Sequence, residues 1–165
     1  MPDPTLLRLA PASVFFDSVH LGYLSFRTPV EIEDESRSVE LLAGQTGDTP
    51  VDEVLTGHRC TVRCPVVEVS PEKLALAIPN SEIAGSTVTI KNKIGQRQRS
   101  IAKELRVVRL VDGEESLLPE DIFVFPLASP KPGTVTQTFG QEQQELLLTF
   151  QVWMDPTTKE FYSVG

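Results

Sequence analysis

Apolar and polar residues alternate in short runs along most of the chain, the period-2 signature of strands with one buried face. Val14–Phe16 reads as a short strand closed by an Asp17-Ser18 turn, and Leu21–Phe26 as a second strand-like piece. In Pro29–Asp34, Val30 and Ile32 alternate with Glu31 and Glu33. Glu35–Ser38 is polar enough to read as a turn, after which Val39–Ala43 returns. These pieces predict an antiparallel hairpin with Val30, Ile32, Val39 and Leu41 turned inward and a carboxylate-lined outer face. His58–Val69 alternates again, with Cys60, Val62 and Cys64 on one side and Arg59, Thr61 and Arg63 on the other. Its apolar set changes parity to Val67 and Val69 at Pro65, which predicts a bulge or an edge position there. Thr87–Asn92, Lys103–Val111 and Ile122–Leu127 follow as strands, with Asp112-Gly113 a strong reversal signal. Ser129–Gly133 carries two prolines and a glycine and is expected to break the preceding strand; Thr134–Thr138 offers another short one. Glu145–Met154 places Leu146, Leu148, Phe150, Val152 and Met154 on one face, and an Asp155–Thr158 turn leads to a closing hairpin over Glu160–Val164.

One helix interrupts this pattern. Ser70 can cap, Pro71 suits the first helical position, and Glu72 complements the positive end of the helix dipole. Leu74 and Ile78 share a face and Pro79-Asn80 ends the run. So short a helix must be held by packing on the sheet. The fold class expected is therefore mainly β, an antiparallel β-sandwich or barrel with one short packed α-helix, in a single domain over 1–165. Residues 1–12, with Pro2, Pro4 and Pro11 excluding helix, read as an extended arm carrying Leu6, Leu7 and Leu9.

Between the first hairpin and the Cys60 strand lies Gly44–Gly57. Gly44, Gly47 and Pro50 argue against a regular element through its first half, so it reads as a long interaction loop.

Thirteen prolines and ten glycines among 165 residues favour short strands with turns over long helices. A net charge of −8 argues against simple adhesion to nucleic acid or an anionic membrane, since a phosphate binder needs clustered cations. Met1–Pro4 lacks the basic start of a secretion signal and no apolar run approaches the ~20 residues of a membrane span, so a soluble, cytosolically made chain with no membrane partner is expected. Cys60 and Cys64 share a strand face too far apart to bridge, and read as small buried hydrophobes. With His58 they form too small a ligand set for zinc. Nucleophile-elbow, phosphate-loop and metalloprotease patterns are absent. No catalytic residue, metal or cofactor is expected, and the chain does not read as an enzyme.

Charge is unevenly placed. Eight acids (Glu31, Glu33, Asp34, Glu35, Glu40, Asp48, Asp52, Glu53) face one base, Arg37, between Glu31 and Glu53. Seven bases (Lys91, Lys93, Arg97, Arg99, Lys103, Arg106, Arg109) face one acid, Glu104, between Lys91 and Arg109. Two solvated hairpins would explain this. Unlike patches that bring copies together head to tail explain it equally.

Gln-x-Gly-Asp-Thr-Pro-Val-Asp-Glu-Val-x-x-Gly at Gln45–Gly57, the alternating strand after it and the helix Pro71–Ile78 resemble tail tube proteins of long-tailed bacteriophages. Leu21-Gly22 and the Leu146–Val164 segment with its Asp155-Pro156 turn extend the resemblance less specifically. The resemblance implies hexameric rings stacked into a hollow conduit around a tape-measure protein, through which DNA later passes without specific binding. It further implies tail terminator and baseplate or tail-tip partners, with or without a sheath, and a place in the virion tail. Ring contacts are expected from Gln45, Gly47, Asp48, Thr49, Pro50, Val51, Asp52 and Glu53, answered by Lys93, Arg97 and Arg99. Glu31, Glu33 and Glu40 are expected to face the lumen, where few cations should meet passing phosphates. A tail terminator or head–tail connector ring, and a ligand-binding β-sandwich module, are the alternatives.

Overall fold

A computed structural model describes residues 11–25, 27–44, 49–133, 135 and 144–165. Strands dominate: β1 Ala12–Phe16, β2 Val19–His20, β3 Glu31–Leu42, β4 Pro50–Val66, β5 Ser81–Ala84, β6 Thr87–Ile90, β7 Lys103–Val111, β8 Glu114–Glu115, β9 Ile122–Pro130, β10 Leu146–Val152 and β11 Ser163–Val164. The helix α1 spans Pro71–Ala77. Among the described residues nine strands form one antiparallel sheet in the order β2-β1-β7-β9-β10-β4-β3, with β8 paired to β7 and β11 to β9. β5 and β6 form a separate two-stranded sheet. Val30 and Ile32, at the β3 flank, line the same cavity of about 150 Å³ as Pro11 and Ala12 at the β1 flank. The sheet thus curls until its flanks approach, a sandwich or barrel-like arrangement with one packed helix.

The core is what the alternation foretold. Cys60, Val62, Cys64 and Val66 of β4 and Leu146, Leu148, Phe150 and Val152 of β10 are buried in one cluster with Val14, Leu105 and Phe125. Each large side chain so buried contributes ~1.5–3 kcal/mol. The two cysteines are free and buried, and burial pushes both thiols up to about 12. Ser70 caps α1 by accepting from the Lys73 N–H, and Leu74 and Ile78 pack against the core as their spacing required.

Tight turns follow the chemistry of their residues. Asp17 and Ser18 both take positive φ between the paired Phe16 and Val19, as do Asp112 and Gly113 between β7 and β8. Gly22 also has positive φ, and an added Cβ would collide with the Glu68 carboxylate and the Lys73 ammonium, which pair at 2.9 Å.

Several expected boundaries move. Glu35–Ser38 is no turn: β3 runs unbroken from Glu31 to Leu42, because its polar residues lie in a stretch exposed on both faces, where polarity does not argue against a strand. The 44–57 loop shrinks likewise, since β4 starts at Pro50 and ends at Val66, short of Val69. Pro65 brings no bulge and no parity change. It pairs in register with Leu147 at a point beyond the last β3–β4 pair, Glu31 with Arg63, so β3 does not require its missing N–H. Of Leu21–Phe26, only a Leu24–Val66 bridge is strand-like among the described residues. Ser129 and Pro130 belong to β9, where Pro130 pairs with Phe150. β5 was hidden by its mixed composition, and Glu160–Val164 forms no hairpin with β10 because β11 returns to β9. Met154 lies beyond β10 and is exposed, and Ala12 belongs to β1. Residues 1–10 of the expected arm, Phe26, and 134 and 136–138 of the expected short strand lie outside the described residues. Among the described residues no helix is long and apolar enough to cross a membrane.

Candidate functional site

β10 accompanies β4 only from Cys60 to Val66. Beyond Cys60, β3 and β4 have, among the described residues, only each other in the ladder, and they continue as a two-stranded ribbon. Ser36–Leu42 alone extends roughly 20 Å at ~3.3 Å per residue. A register shift between Arg37 and Ser38 leaves Thr56 as an extra residue, and a second falls between Leu41 and Leu42. Such bulges bend and twist a ribbon.

Strand alternation and register assign the faces. Val39 opposite Val54 lies with Leu41 on one face; Ser38 opposite Leu55 lies with Leu42 on the other. All of these apolar side chains are exposed, together with Val51, and Leu55 is the barest at 75 %. Val39 and Leu41 therefore do not turn into the sandwich: the body has ended before their positions are reached. An isolated two-stranded hairpin is marginal in water, and this one presents apolar surface on both sides.

The expected ring-contact residues Pro50, Val51, Asp52 and Glu53 are exposed at the ribbon's far end, with Thr49 just before them. Gln45, Gly47 and Asp48 lie outside the described residues. Glu40 stands directly opposite Glu53, an unfavourable like-charge pair, and Ser38 Oγ donates to the Glu53 carboxylate.

Glu31, Glu33 and Glu40 do not share a face. On an unbroken strand, odd and even positions separate, so Glu31 and Glu33 lie with Val39 while Glu40 lies with Ile32. Glu31 and Glu33 both pair with Arg63, at 3.4 and 2.9 Å, and Glu35 pairs with Arg37 at 3.1 Å. The acidic run is therefore partly compensated from within. The basic segment is compensated too. Lys91 and Lys93 reach Glu82 at 2.5 and 3.2 Å, and the Lys91 hydrogen bond is the main influence holding that carboxyl below its ordinary value. Arg99 donates to the Met154 carbonyl, and Arg97 is exposed ahead of the short 3-10 turn Gln98–Ile101.

A polar cluster at the ribbon's root escaped the sequence reading. Asp34, paired with Cys60 in register, accepts from His58 Nε2 at 3.0 Å and from the Tyr162 hydroxyl at 2.7 Å. His58 Nδ1 lies 3.3 Å from Ser36 Oγ, and its ring meets Phe161 edge-on at 4.8 Å. The bond to Asp34, ahead of burial, pushes the Tyr162 phenol up to about 12. His58 stood out in sequence beside the cysteines, but Asp34 joins it only because β3 is continuous. Among the described residues no group of three or more His, Cys, Asp or Glu side chains is placed to hold a metal ion.

No protein-family model matches the chain, and comparison with curated proteins gives no match.

Proposed function

We propose that the protein is a self-associating structural subunit of the tail-tube type, which builds stacked rings by laying its β3–β4 ribbon on neighbouring copies. One observation carries this reading: a ribbon that leaves the body with apolar residues bare on both faces. Among the described residues β3 is the end strand of the sheet, and its outer edge offers ladder hydrogen bonds to the same neighbour. Apolar cover supplies the affinity, and charges at the ribbon's end and along Lys93–Arg99 set the register. Because several of those charges already have partners within the chain, their share is small, ~0–1 kcal/mol for each exposed pair.

In a conduit, the face carrying Glu31 and Glu33 would line the passage; there the two carboxylates engage Arg63, while the exposed Arg59 stands opposite Glu35 on the same face. The test is electron microscopy of purified protein over a concentration series. Stacked rings or tubes support the reading. Single rings that never stack favour a terminator or connector ring, and a monomer throughout contradicts it.

A further inference from the structure

The chain between β10 and β11 makes an excursion with a fixed shape. Trp153 N–H donates to the Leu127 carbonyl, so the chain still follows β9 as it leaves β10. It then turns out and rejoins β9 at Ser163, which pairs with Val124. Inside the excursion Asp155 accepts from the Thr157 and Thr158 N–H groups, and its own N–H donates to the Glu160 carbonyl. The loop is thus self-braced, and what it presents inward is Phe161 and Tyr162.

Both aromatic residues meet the ribbon's root. Tyr162 stacks on the buried Phe125 at 5.0 Å while its hydroxyl donates to Asp34; Phe161 lies against His58. Asp34 also accepts from His58, so one carboxylate joins β3, β4 and the C-terminal segment. The root is where β10 stops supporting β4, the natural hinge of a ribbon held below it by a three-strand ladder. From this geometry we infer that Phe161–Tyr162 is a strap: docked on Asp34 and His58 it fixes the ribbon's angle to the body, and lifted it lets the ribbon re-aim. The use of that freedom in accepting a neighbour rests on the self-association reading; the strap itself is a property of the single chain.

Tyr162→Phe removes the hydroxyl and keeps the ring on Phe125, so the fold should survive. Losing a hydrogen bond to a carboxylate that is partly exposed should raise the ratio of undocked to docked ribbon roughly tenfold. The readout is a spin-label distance distribution between Asp52→Cys on the ribbon and Glu120→Cys on the body. It is measured on monomer, so it is independent of whether tubes form; the native thiols are buried and will not take the label. Tyr162→Phe and Asp34→Asn should each broaden or displace the distribution, and the double variant should add little to Asp34→Asn alone, because the Tyr162 hydroxyl acts through that carboxylate. An unchanged distribution in both single variants overturns the strap. So does full additivity in the double variant, which would mean that the two residues act separately.

Discussion

Leu55→Ala separates what the ribbon does for the monomer from what it does for an assembly. Leu55 is 75 % exposed and sits opposite Ser38, so the single chain gives it little to pack against. Truncation there leaves almost no cavity, and the monomer should lose only a few tenths of a kcal/mol from strand preference. Full burial of a leucine is worth ~1.5–3 kcal/mol, so a neighbour covering the exposed three-quarters would gain ~1–2 kcal/mol. Alanine retains part of that area, leaving a loss of ~1 kcal/mol, or roughly fivefold to tenfold in the association constant. The assay is light scattering for the critical concentration of assembly, paired with a thermal melt of the monomer. Leu117→Ala is the control, because Leu117 is 92 % exposed and lies off the ribbon. The critical concentration should rise for Leu55→Ala and stay put for Leu117→Ala, with both melts close to the parent. Equal effects of the two variants on assembly, or a melt that falls with Leu55→Ala, would refute the reasoning.

Four further outcomes follow from the body of the protein. Gly22→Ala should destabilise the fold by ~2 kcal/mol or more, read by denaturant melts, because the positive φ costs ~1–2 kcal/mol and the Cβ displaces the Lys73–Glu68 pair. Arg109→Met should cost ~1.5–3 kcal/mol in the same assay, since it removes a charged donor 2.7 Å from the fully buried Asp121 carboxylate, which keeps its hydrogen bond from the Ser116 hydroxyl. Alkali should weaken the fold in a defined window: Tyr162 titrates at about 12 against an ordinary 10.0, so folding favours the protonated phenol. That contribution is complete below pH 10 and lost as pH rises through 12. Tyr162→Phe should flatten this part of a stability-against-pH curve, and a curve identical to the parent's would contradict the assignment. Cys60 and Cys64, both up at about 12 through burial, should react with thiol reagents only at the rate of unfolding.

The fold was legible where one face of a strand is buried. Leu146–Val152 and Lys103–Val111 announced themselves because alternation is enforced by a core. α1 was legible from its cap, its proline and two apolar positions. The ribbon was misread because no core acts on it: with both faces in water, Glu35–Ser38 looks like a turn and Pro50–Gly57 like a loop, though both extend the ladder. The same misreading grouped Glu40 with Glu31 and Glu33, since a turn between them would have reset the alternation. The Asp34 cluster depended on a contact between residues far apart in sequence, Tyr162 with Asp34, which local pattern does not encode. The irregularity that hid the ribbon is also its interest, because it leaves apolar strand residues exposed.

The most direct measurement is a high-resolution image reconstruction of the assembled particle, read at Val39, Leu41, Val54 and Leu55. The account predicts that these side chains are buried against a neighbouring copy. A particle whose subunits touch elsewhere while Ser36–Leu42 and Pro50–Gly57 stand free in solvent would contradict it.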